Sequence, residues 1–372
     1  MTDLQKLHLE AAQRLDRLDF DRLWPGFHRF PFALYQGDEM CLGGEVLPRD
    51  GSLRGNTAVR YAGELTAVWD AGSGLAGPDL LTADLVHEMF HAFQMEQGEA
   101  RFPDDFAALE YPLDVVNFSR KLAEDRLLCR ALRAEERWER TALLADFRPL
   151  REARRETLGP VLAQELQPQP VEGMAEYMGL RALSCLSEEK YRRRLETALR
   201  LLEEPGPLLL DVRRVSYYTG AVLLLAAEAA GIPFAHQLTD TRPVYDIICP
   251  QLPCGEVPPV PADETIGALI ASRTVERRET LSRFFRTASQ PVSGDFQVLG
   301  YDPMNMFQTG RLLYGSHFWL LRDRESGQTI ELGEGAPAKR GASGSEVLEG
   351  AVNDFYRIED IAAMSGLSVR TI

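Results

Sequence analysis

Residues 85–94, LVHEMFHAFQ, place two histidines four positions apart and a glutamate directly after the first. These residues are His87, Glu88 and His91. On an α-helix, residues four apart lie on the same face, so the two imidazole rings can offer nitrogens to a single metal ion. The pattern H-E-x-x-H combines two zinc ligands with a carboxylate that can act as a base. The segment therefore predicts a helix, at about residues 80–97, that carries a zinc site.

The alternative for this segment is a pair of histidines that pack or face solvent on a helix without binding metal. The chain has six histidines, so a chance match to the pattern is rare, on the order of one per cent. A catalytic zinc site needs three protein ligands, and the search for a third ligand therefore decides between the two interpretations.

The third ligand is sought among carboxylates, because none of the remaining histidines has neighbours typical of a ligand. The segment VEGMAEYM supplies Glu172 and Glu176, four residues apart on the next candidate helix. Gly173 and Ala175 are small, which would let this helix pack closely against the first. We predict Glu172 as the third zinc ligand. Glu176 remains the alternative ligand, or else a surface residue or a residue that orients a histidine.

The motifs HEMFH and EGMAEY together resemble the gluzincin branch of the zincin metallopeptidases. In that family the two histidines and the glutamate that opens an E-G-x-A motif bind zinc, which corresponds to His87, His91 and Glu172. The glutamate after the first histidine is the base, which corresponds to Glu88. The resemblance covers about residues 60–235 and implies a small sheet whose edge strand pairs with an extended substrate.

Tyrosines near these motifs are candidates for a further role that the resemblance implies. Gluzincins often add a tyrosine or histidine that donates a hydrogen bond to the oxyanion of the reaction. The segment VSYYTGAVLLL offers Tyr217 and Tyr218, and Tyr177 follows Glu176. Each of these rings could instead pack in the core with its hydroxyl at the surface.

The order of elements predicts an α+β fold, with a zincin-like, mainly helical catalytic domain that has a small N-terminal sheet, followed by a small all-β domain. The hairpin NTAVRYAGELTAVWD and the other strands form the sheet, and Thr82 or Asp84 caps the active-site helix. Residues 92–171 separate the two motifs, which departs from the family, so a helical block rich in Arg and Glu must be inserted there. Its charges are expected on a solvated face.

The predicted ranges are a sheet at about 30–70, the active-site helix at about 80–97, the insertion at about 114–166, the third-ligand helix at about 171–186, the catalytic domain at 1–288 and the β-rich accessory domain at 289–372.

Composition and charge exclude several classes of function. The formal charge of −15 argues against a nucleic-acid partner, because phosphate binding needs a basic excess. The N-terminal segment has no apolar region typical of a signal peptide, and no apolar run reaches the length of a membrane span. Five scattered cysteines do not indicate a disulfide framework, and Cys249 and Cys254 are interpreted as loop cysteines without metal. These features predict a cytoplasmic protein without a membrane partner, and leave its oligomeric state open.

The function predicted from these features is zinc-dependent hydrolysis of peptide bonds, in which Glu88 activates a zinc-bound water and the partner is a peptide or protein substrate. One alternative is a catalytically inactive zincin-fold protein that keeps zinc and serves in binding or regulation. Another is an assembly protein without metal, in which the C-terminal β-rich part recognises a partner. His317 in that part stands among aromatic residues that look like strand core, and is not predicted to bind metal.

Overall fold

The computed structural model describes residues 1–50, 53, 55–73, 77–234, 238, 240–287, 296–310, 312–317, 319–332, 336–339, 345–346, 355–358 and 370–371. The helices are α1 (Asp3–Leu15), α2 (Phe20–Leu23), α3 (Pro78–Glu96), α4 (Asp105–Ala108), α5 (Val115–Arg133), α6 (Arg137–Leu158), α7 (Ala163–Leu166), α8 (Met174–Leu186), α9 (Glu188–Glu203), α10 (Val212–Ala230), α11 (Val244–Ile248) and α12 (Glu264–Thr287). The strands are β1 (Phe32–Gln36), β2 (Glu39–Leu42), β3 (Glu45–Pro48), β4 (Thr57–Tyr61), β5 (Glu64–Asp70), β6 (Phe296–Tyr301), β7 (Met306–Thr309), β8 (Leu312–Gly315), β9 (Trp319–Asp323), β10 (Thr329–Leu332), β11 (Ala336–Lys339), β12 (Ser345–Glu346), β13 (Phe355–Ile358) and β14 (Arg370–Thr371). Short 3-10 turns occupy Ala71–Ser73, Gly159–Leu162, Pro207–Leu210, Cys249–Gln251 and Pro303–Asn305, and one π-helical turn occupies Gln169–Gly173.

This architecture confirms the predicted mixed α+β class, with a small N-terminal sheet, a helical middle and C-terminal strands. The chain forms two compact units. The first unit comprises Met1–Phe102, Arg120–Glu204 and Val215–Val260, and the second comprises Pro103–Ser119, Pro205–Arg214 and Pro261–Ile372. The predicted domain boundary at residue 288 lies outside the described residues, and the accessory domain at 289–372 stays a prediction.

The sheet of the first unit has the strand order β3-β2-β1-β5-β4, in which β1 and β5 are parallel and the other neighbours are antiparallel. The predicted hairpin is present as β4 and β5. Its turn is Ala62-Gly63, with φ angles of 48° and 90°, as expected for a two-residue turn in which both central residues have positive φ. Helix α3 packs on β5 and β4, and α1 packs on α3, β1 and β2. The sheet therefore supports the helix that carries the histidine pair.

Helix α3 begins earlier than the sequence predicted. Its N-cap is Gly77, and Pro78 occupies the first helical position, where the fixed φ of proline suits a helix start. The Thr82 hydroxyl donates to the carbonyl of Pro78 at 2.7 Å inside the first turns, and Asp84 binds Arg194. The prediction that Thr82 or Asp84 caps this helix was therefore wrong.

The helical block between the two motifs buries charge that the sequence analysis placed on a solvated face. Within the described residues, a network of side chains with almost no exposure joins α5, α6 and α7, and its members are Lys121, Glu124, Asp125, Arg151, Arg154 and Glu165. The expectation of a solvated face was wrong for these residues. The reason is that acidic and basic side chains from neighbouring helices satisfy each other, which the spacing along one helix does not reveal.

Glu165 lies at the centre of this buried network. Its carboxylate contacts Arg154 and lies 3.4 Å from Lys121 and 3.7 Å from Arg151. Burial would raise the pKa of Glu165, but these three cations hold that pKa well below its ordinary value. Glu124 accepts from Arg151 Nε and Arg154 Nη1 at 2.8 and 2.7 Å, so α5, α6 and α7 are joined by paired charges.

The second unit contains a six-stranded sheet of order β12-β13-β6-β9-β10-β14 and a three-stranded sheet of order β11-β8-β7. His317 lies between β8 and β9, with its side chain 61% exposed and its Nδ1 2.7 Å from Asp302 Oδ2. Of the aromatic residues around it, Trp319 is buried in β9, as expected for strand core, whereas His317 itself faces solvent after the chain leaves β8 at Gly315. Across the described part of the chain, no helix has the combination of length and apolar character that would let it cross a bilayer.

Candidate metal centre

The histidine pair faces the helix that follows the second motif. Helix α8 packs along α3, and Gly179 is the residue that permits their close approach. A Cβ atom added at Gly179 would lie 3.1 Å from the carbonyl of Ala83 and 3.7 Å from His87 Cβ. The residues predicted for this role were Gly173 and Ala175, earlier in the same segment.

Gly173 serves a different contact. A Cβ atom added there would lie 2.7 Å from the Cα of Gly220 on α10, so the two glycines let the start of the third-ligand helix touch α10. The expectation that Gly173 faces α3 was therefore wrong. The contact between Gly173 and Gly220 therefore fixes the backbone next to Glu172 against α10.

Glu172 lies in the π-helical turn Gln169–Gly173, directly before α8. Such turns are rare and often occur at functional sites. This one contains Pro170, which has no backbone N–H to donate to a regular helical ladder. The irregular turn carries Glu172 towards the histidines of α3.

His87, His91 and Glu172 converge on one point. His91 Nε2 lies 3.1 Å from His87 Nε2 and 3.2 Å from Glu172 Oε2, and His87 Nε2 lies 3.8 Å from the same carboxylate oxygen. His87 and Glu172 are buried, and His91 retains partial exposure. These three residues are the described group of histidine, cysteine and acidic side chains that could hold a metal ion.

The spacing of these three atoms fits a metal ion of zinc size. Zinc ligand atoms lie about 2.0–2.2 Å from the ion, so neighbouring ligands in a tetrahedral site lie roughly 3.3–3.6 Å apart. The three measured separations of 3.1, 3.2 and 3.8 Å bracket that range. Two nitrogens and one oxygen are also a ligand set that zinc accepts.

Gln94 determines which nitrogen of His91 faces the centre. The Gln94 amide nitrogen donates to the carbonyls of Pro170 and Val171 at 2.9 and 3.1 Å. Its amide oxygen must therefore face His91 Nδ1, which is 2.8 Å away and donates to it. The neutral His91 ring then carries its proton on Nδ1 and presents a lone pair from Nε2 to the metal centre.

His87 is oriented in a similar way from its other side. Its Nδ1 lies 3.5 Å from Glu176 Oε2. Arg194 of α9 binds Glu176 through Nε and Nη2 at 3.1 and 2.8 Å, and it binds Asp84 through Nη1 at 2.6 Å. Glu176 thus lies outside the three-residue group, and its carboxylate holds His87 while Arg194 holds Glu176.

The charges around His87 explain its titration. Burial alone would lower the pKa of His87, but the carboxylates of Glu172 and Glu176 raise that pKa to about 10. Burial would likewise raise the pKa of Glu176, and Arg194 together with His87 lowers it to about 2. Burial raises the pKa of Asp84, and Arg194 opposes that shift. The acceptor atoms at the centre therefore favour a positive charge between them, which a proton or a metal ion supplies.

Glu88 lies next to the ligands and is buried, with 6% of its surface exposed. Within the described residues, its carboxylate has no hydrogen-bond or ion-pair partner. Burial raises the pKa of Glu88, while the nearby His87 and His91 oppose that shift. A desolvated carboxylate beside two imidazoles is an arrangement suited to accepting a proton.

The three candidate tyrosines have different surroundings. The Tyr217 ring stacks on the ring of His87, with centroids 5.9 Å apart and planes at 13°. Tyr218 lines the same cavity as Tyr217. Tyr177 is buried, and its hydroxyl donates to Glu228 at 3.0 Å, so Tyr177 has the core position that the sequence analysis gave as the alternative.

A cavity of about 570 Å³ lies beside the centre in the first unit. Its wall includes Glu176, Tyr217 and Tyr218, and Arg194 and Lys190 of α9 also line it. Its volume suits a small molecule or one amino-acid side chain. The cavity therefore reaches the residues that orient His87.

The cysteines take no part in this centre. All five are free thiols, with Cys249 buried and Cys254 exposed. They do not belong to the group of residues that could hold a metal ion.

No protein-family model, curated protein or solved structure matches this chain. The likeness to gluzincins therefore rests on the two motifs alone.

Proposed function

We propose that this protein is a zinc-dependent peptidase of the gluzincin type. The observation that carries the proposal is the convergence of His87, His91 and Glu172, from two motifs some eighty residues apart in sequence, on one buried point. The buried carboxylate of Glu88, which has no hydrogen-bond or ion-pair partner among the described residues, supports a catalytic site rather than a structural one, because a structural zinc needs no adjacent base.

His87, His91 and Glu172 would hold the zinc ion. Bound zinc would lower the pKa of a water molecule to about 7 and polarise the substrate carbonyl. Glu88 would accept the proton of the water at its carboxylate and later deliver it to the leaving amine. Gln94 and Glu176 would keep the two imidazole rings in the orientation that this requires.

An extended peptide is the substrate class that fits the surroundings. Strand β4 is an edge strand of the sheet, and α3 packs on it and on β5. A peptide could pair with β4 through its backbone, and the cavity beside Tyr217 and Tyr218 could take a side chain. We propose the Tyr217 or Tyr218 hydroxyl as a donor to the oxyanion of the reaction.

A second candidate is a binding or regulatory protein that keeps zinc without turnover. One observation favours it: the cavity beside the centre is lined by Glu176 and Tyr217, and not by the ligand nitrogens. Both candidates predict the same metal content, and hydrolysis separates them.

The test measures metal content by mass spectrometry on protein purified without added zinc. We expect about one zinc per chain in the parent, and loss of stoichiometric zinc in His91→Ala, because removing one of three ligands leaves a weak site. His28→Ala is the matched control, since that ring is 53% exposed and lies outside the centre. Full zinc occupancy in His91→Ala would show that the ligand set is wrong.

The role of Glu88 is tested by Glu88→Gln, assayed on a peptide library that the parent cleaves. The variant should retain zinc and lose hydrolysis by roughly two to four orders of magnitude, because an amide cannot accept the proton. A variant that stays as active as the parent would refute this mechanism. A parent that holds zinc and cleaves no peptide would leave the binding protein as the function.

A further inference from the structure

The second unit contains a cavity of about 550 Å³ that shares no residue with the metal centre. Its walls come from three parts of the chain: the 3-10 turn Pro207–Leu210 with Asp211 and Arg214 after it, one face of α12, and the 3-10 turn Pro303–Asn305 with the hairpin of β7 and β8. A volume of this size is typical of sites for small ligands.

Two arginines of α12 line this cavity one helical turn apart. Like charges at this spacing repel each other. Arg273 Nη1 donates to the carbonyl of Pro207 at 3.0 Å, and the Arg277 guanidinium carbon lies 5.4 Å from the centre of the Phe307 ring. In the part of the chain that the structure describes, neither guanidinium forms an ion pair with a carboxylate.

The acidic residues of the cavity wall, Asp211 and Glu276, form no ion pair with Arg273 or Arg277 in the part of the chain that the structure describes. Asp211 accepts a hydrogen bond from the backbone N–H of Arg214 at 3.0 Å, and its other oxygen lies 3.5 Å from Arg214 Nε. Glu276 is exposed to solvent. Asp211 and Glu276 interact electrostatically with Arg273 and Arg277 over a distance, but among the described residues neither guanidinium has a carboxylate within ion-pair distance.

The titration of the two arginines agrees with this geometry. Burial and the neighbouring Arg273 together lower the pKa of Arg277 to about 10, although Asp211 and Glu276 oppose this shift. Burial also lowers the pKa of Arg273, and Asp211 and Glu276 offset only part of that effect. Both shifts mean that the charged form is disfavoured where it stands, and a bound anion would reverse that effect.

The remaining wall combines apolar and hydroxyl groups. Phe307 and Tyr314 face each other across the β7–β8 hairpin, and their rings stack with centroids 4.9 Å apart. Leu269 adds an aliphatic surface, while Ser272 and Thr280 of α12 bring hydroxyl groups to the wall. A ligand for this cavity therefore needs an anionic group and an apolar part.

We propose that this cavity binds a small organic anion, with its carboxylate or phosphate held by Arg273 and Arg277 and its apolar part against Phe307 and Tyr314. Guanidinium groups bind both kinds of oxyanion through paired N–H donors. The shared chemistry is an oxyanion attached to an aromatic or aliphatic body. This proposal is independent of the peptidase activity.

The test is calorimetric titration of the full chain with phenyl phosphate, benzoate, inorganic phosphate and benzyl alcohol. We expect saturable binding of one phenyl phosphate or benzoate per chain, weaker binding of inorganic phosphate, and none of the neutral benzyl alcohol. The tighter of the two aromatic anions identifies the ligand as a phosphate or a carboxylate. Failure of both anions to bind at millimolar concentration would overturn the proposal.

Variants locate the binding, because a metal centre also attracts anions. Arg273→Gln and Arg277→Gln should each weaken binding of the aromatic anion by about tenfold or more, without changing zinc content. Arg278→Gln is the matched control, since it is exposed on the same helix and does not line the cavity. Unchanged binding in both cavity variants would overturn the proposal.

A second measurement guards against misfolded variants. Without ligand, Arg277→Gln should unfold at the same temperature as the parent or higher, because it removes one of two neighbouring like charges that form no ion pair among the described residues. With phenyl phosphate or benzoate present, the parent and Arg278→Gln should gain thermal stability and Arg277→Gln should not. An equal gain in Arg277→Gln would place the anion elsewhere and contradict the proposal.

Discussion

Gln94 is the residue whose contacts join the two halves of the candidate metal centre. One end of its amide binds His91 on α3, and the other end binds the carbonyls of Pro170 and Val171 in the turn that carries Glu172. The side chain is buried, with 1% exposed. A single amide therefore fixes both a ring tautomer and the distance between two ligands.

Replacing Gln94 should accordingly weaken metal binding without removing a ligand. We expect Gln94→Leu to lower zinc affinity by about 10–100-fold, the range typical for residues that orient metal ligands. The measurement is competition with a chromophoric zinc chelator. Gln97→Leu, at the exposed end of the same helix, should bind zinc like the parent. Equal affinity in Gln94→Leu and the parent would contradict the role assigned to this amide.

The sequence predicts the placement of individual residues where positions close together on one helix determine it. His87 and His91 lie on one face of a helix because helical geometry places residues four apart together. Gln94 lies three residues after His91, and Asp84 three before His87, so the same periodicity could have indicated both. Arg194 had no comparable signal, because it reaches the site from α9 and its approach depends on how the helices pack.

At the scale of elements, the helices around the site are held by buried charge and by close glycine contacts. The inserted block of α5, α6 and α7 leads directly into the π-helical turn before α8. Its buried network joins all three helices, and Glu165 on α7 lies seven residues before Glu172. Weakening this buried network would therefore be expected to disturb the position of Glu172, the third candidate ligand.

Glu165 offers a test of this network. Glu165→Gln would leave Arg154, Lys121 and Arg151 buried with too few carboxylates, and we expect the free energy of unfolding to fall by about 3–5 kcal/mol at pH 7. Urea denaturation measures this loss. Glu156→Gln, an exposed position on α6, is the control and should change stability by less than about 0.5 kcal/mol.

The pH dependence of the same variant has a definite sign. The pKa of Glu165 in the folded protein lies well below its ordinary value, so its contribution is present above the unfolded pKa and is lost as pH falls through the folded pKa. Burial together with Glu124 and Glu165 raises the pKa of Asp125 in the same network to about 6, and loss of Glu165 should lower that pKa. Protonation of Asp125 therefore helps the parent more than the variant, so the deficit should not shrink between pH 7 and pH 6 and should shrink only below about pH 4.5. A deficit that disappears between pH 7 and pH 6 would show that another group controls the network.

Helices and strands are predicted well from the sequence where the residue pattern of one segment is sufficient to determine its structure. The β4–β5 hairpin follows from two β-forming runs around a glycine, and α3 follows from its period. The π-helical turn Gln169–Gly173 was missed, because its sequence resembles a helix start after a proline break. The buried charges of α5 and α6 were also missed, since periodicity along one helix cannot tell a solvated face from a face that meets opposite charges.

At the scale of the whole molecule, the two units do not follow one another along the chain. Two segments of the second unit, Pro103–Ser119 and Pro205–Arg214, interrupt the sequence of the first. All three candidate ligands belong to the first unit, and the anion cavity belongs to the second. No single cut in the chain therefore separates the metal centre from every part of the second unit.

This organisation gives a prediction for the C-terminal strands. Within the second unit, Asp105 accepts from Arg213 at 2.6 Å and from the Tyr301 hydroxyl at 3.2 Å, and Arg214 donates to the carbonyl of Met304. A chain shortened after residue 287 loses two of these contacts. We expect it to unfold at a lower temperature than the parent and still to bind about one zinc per chain.

His317→Ala separates a ligand role from a role in stability. The His317 ring is exposed and pairs with Asp302, far in sequence from the three ligands, so this variant should keep both zinc and the parent unfolding temperature. Zinc loss in His317→Ala would make that histidine a ligand and replace the proposed set. Zinc loss in the shortened chain alone would show that the first unit needs the C-terminal strands in order to fold. The shortened chain still contains His87, His91 and Glu172, so its loss of zinc would mean that these ligands are no longer held in place.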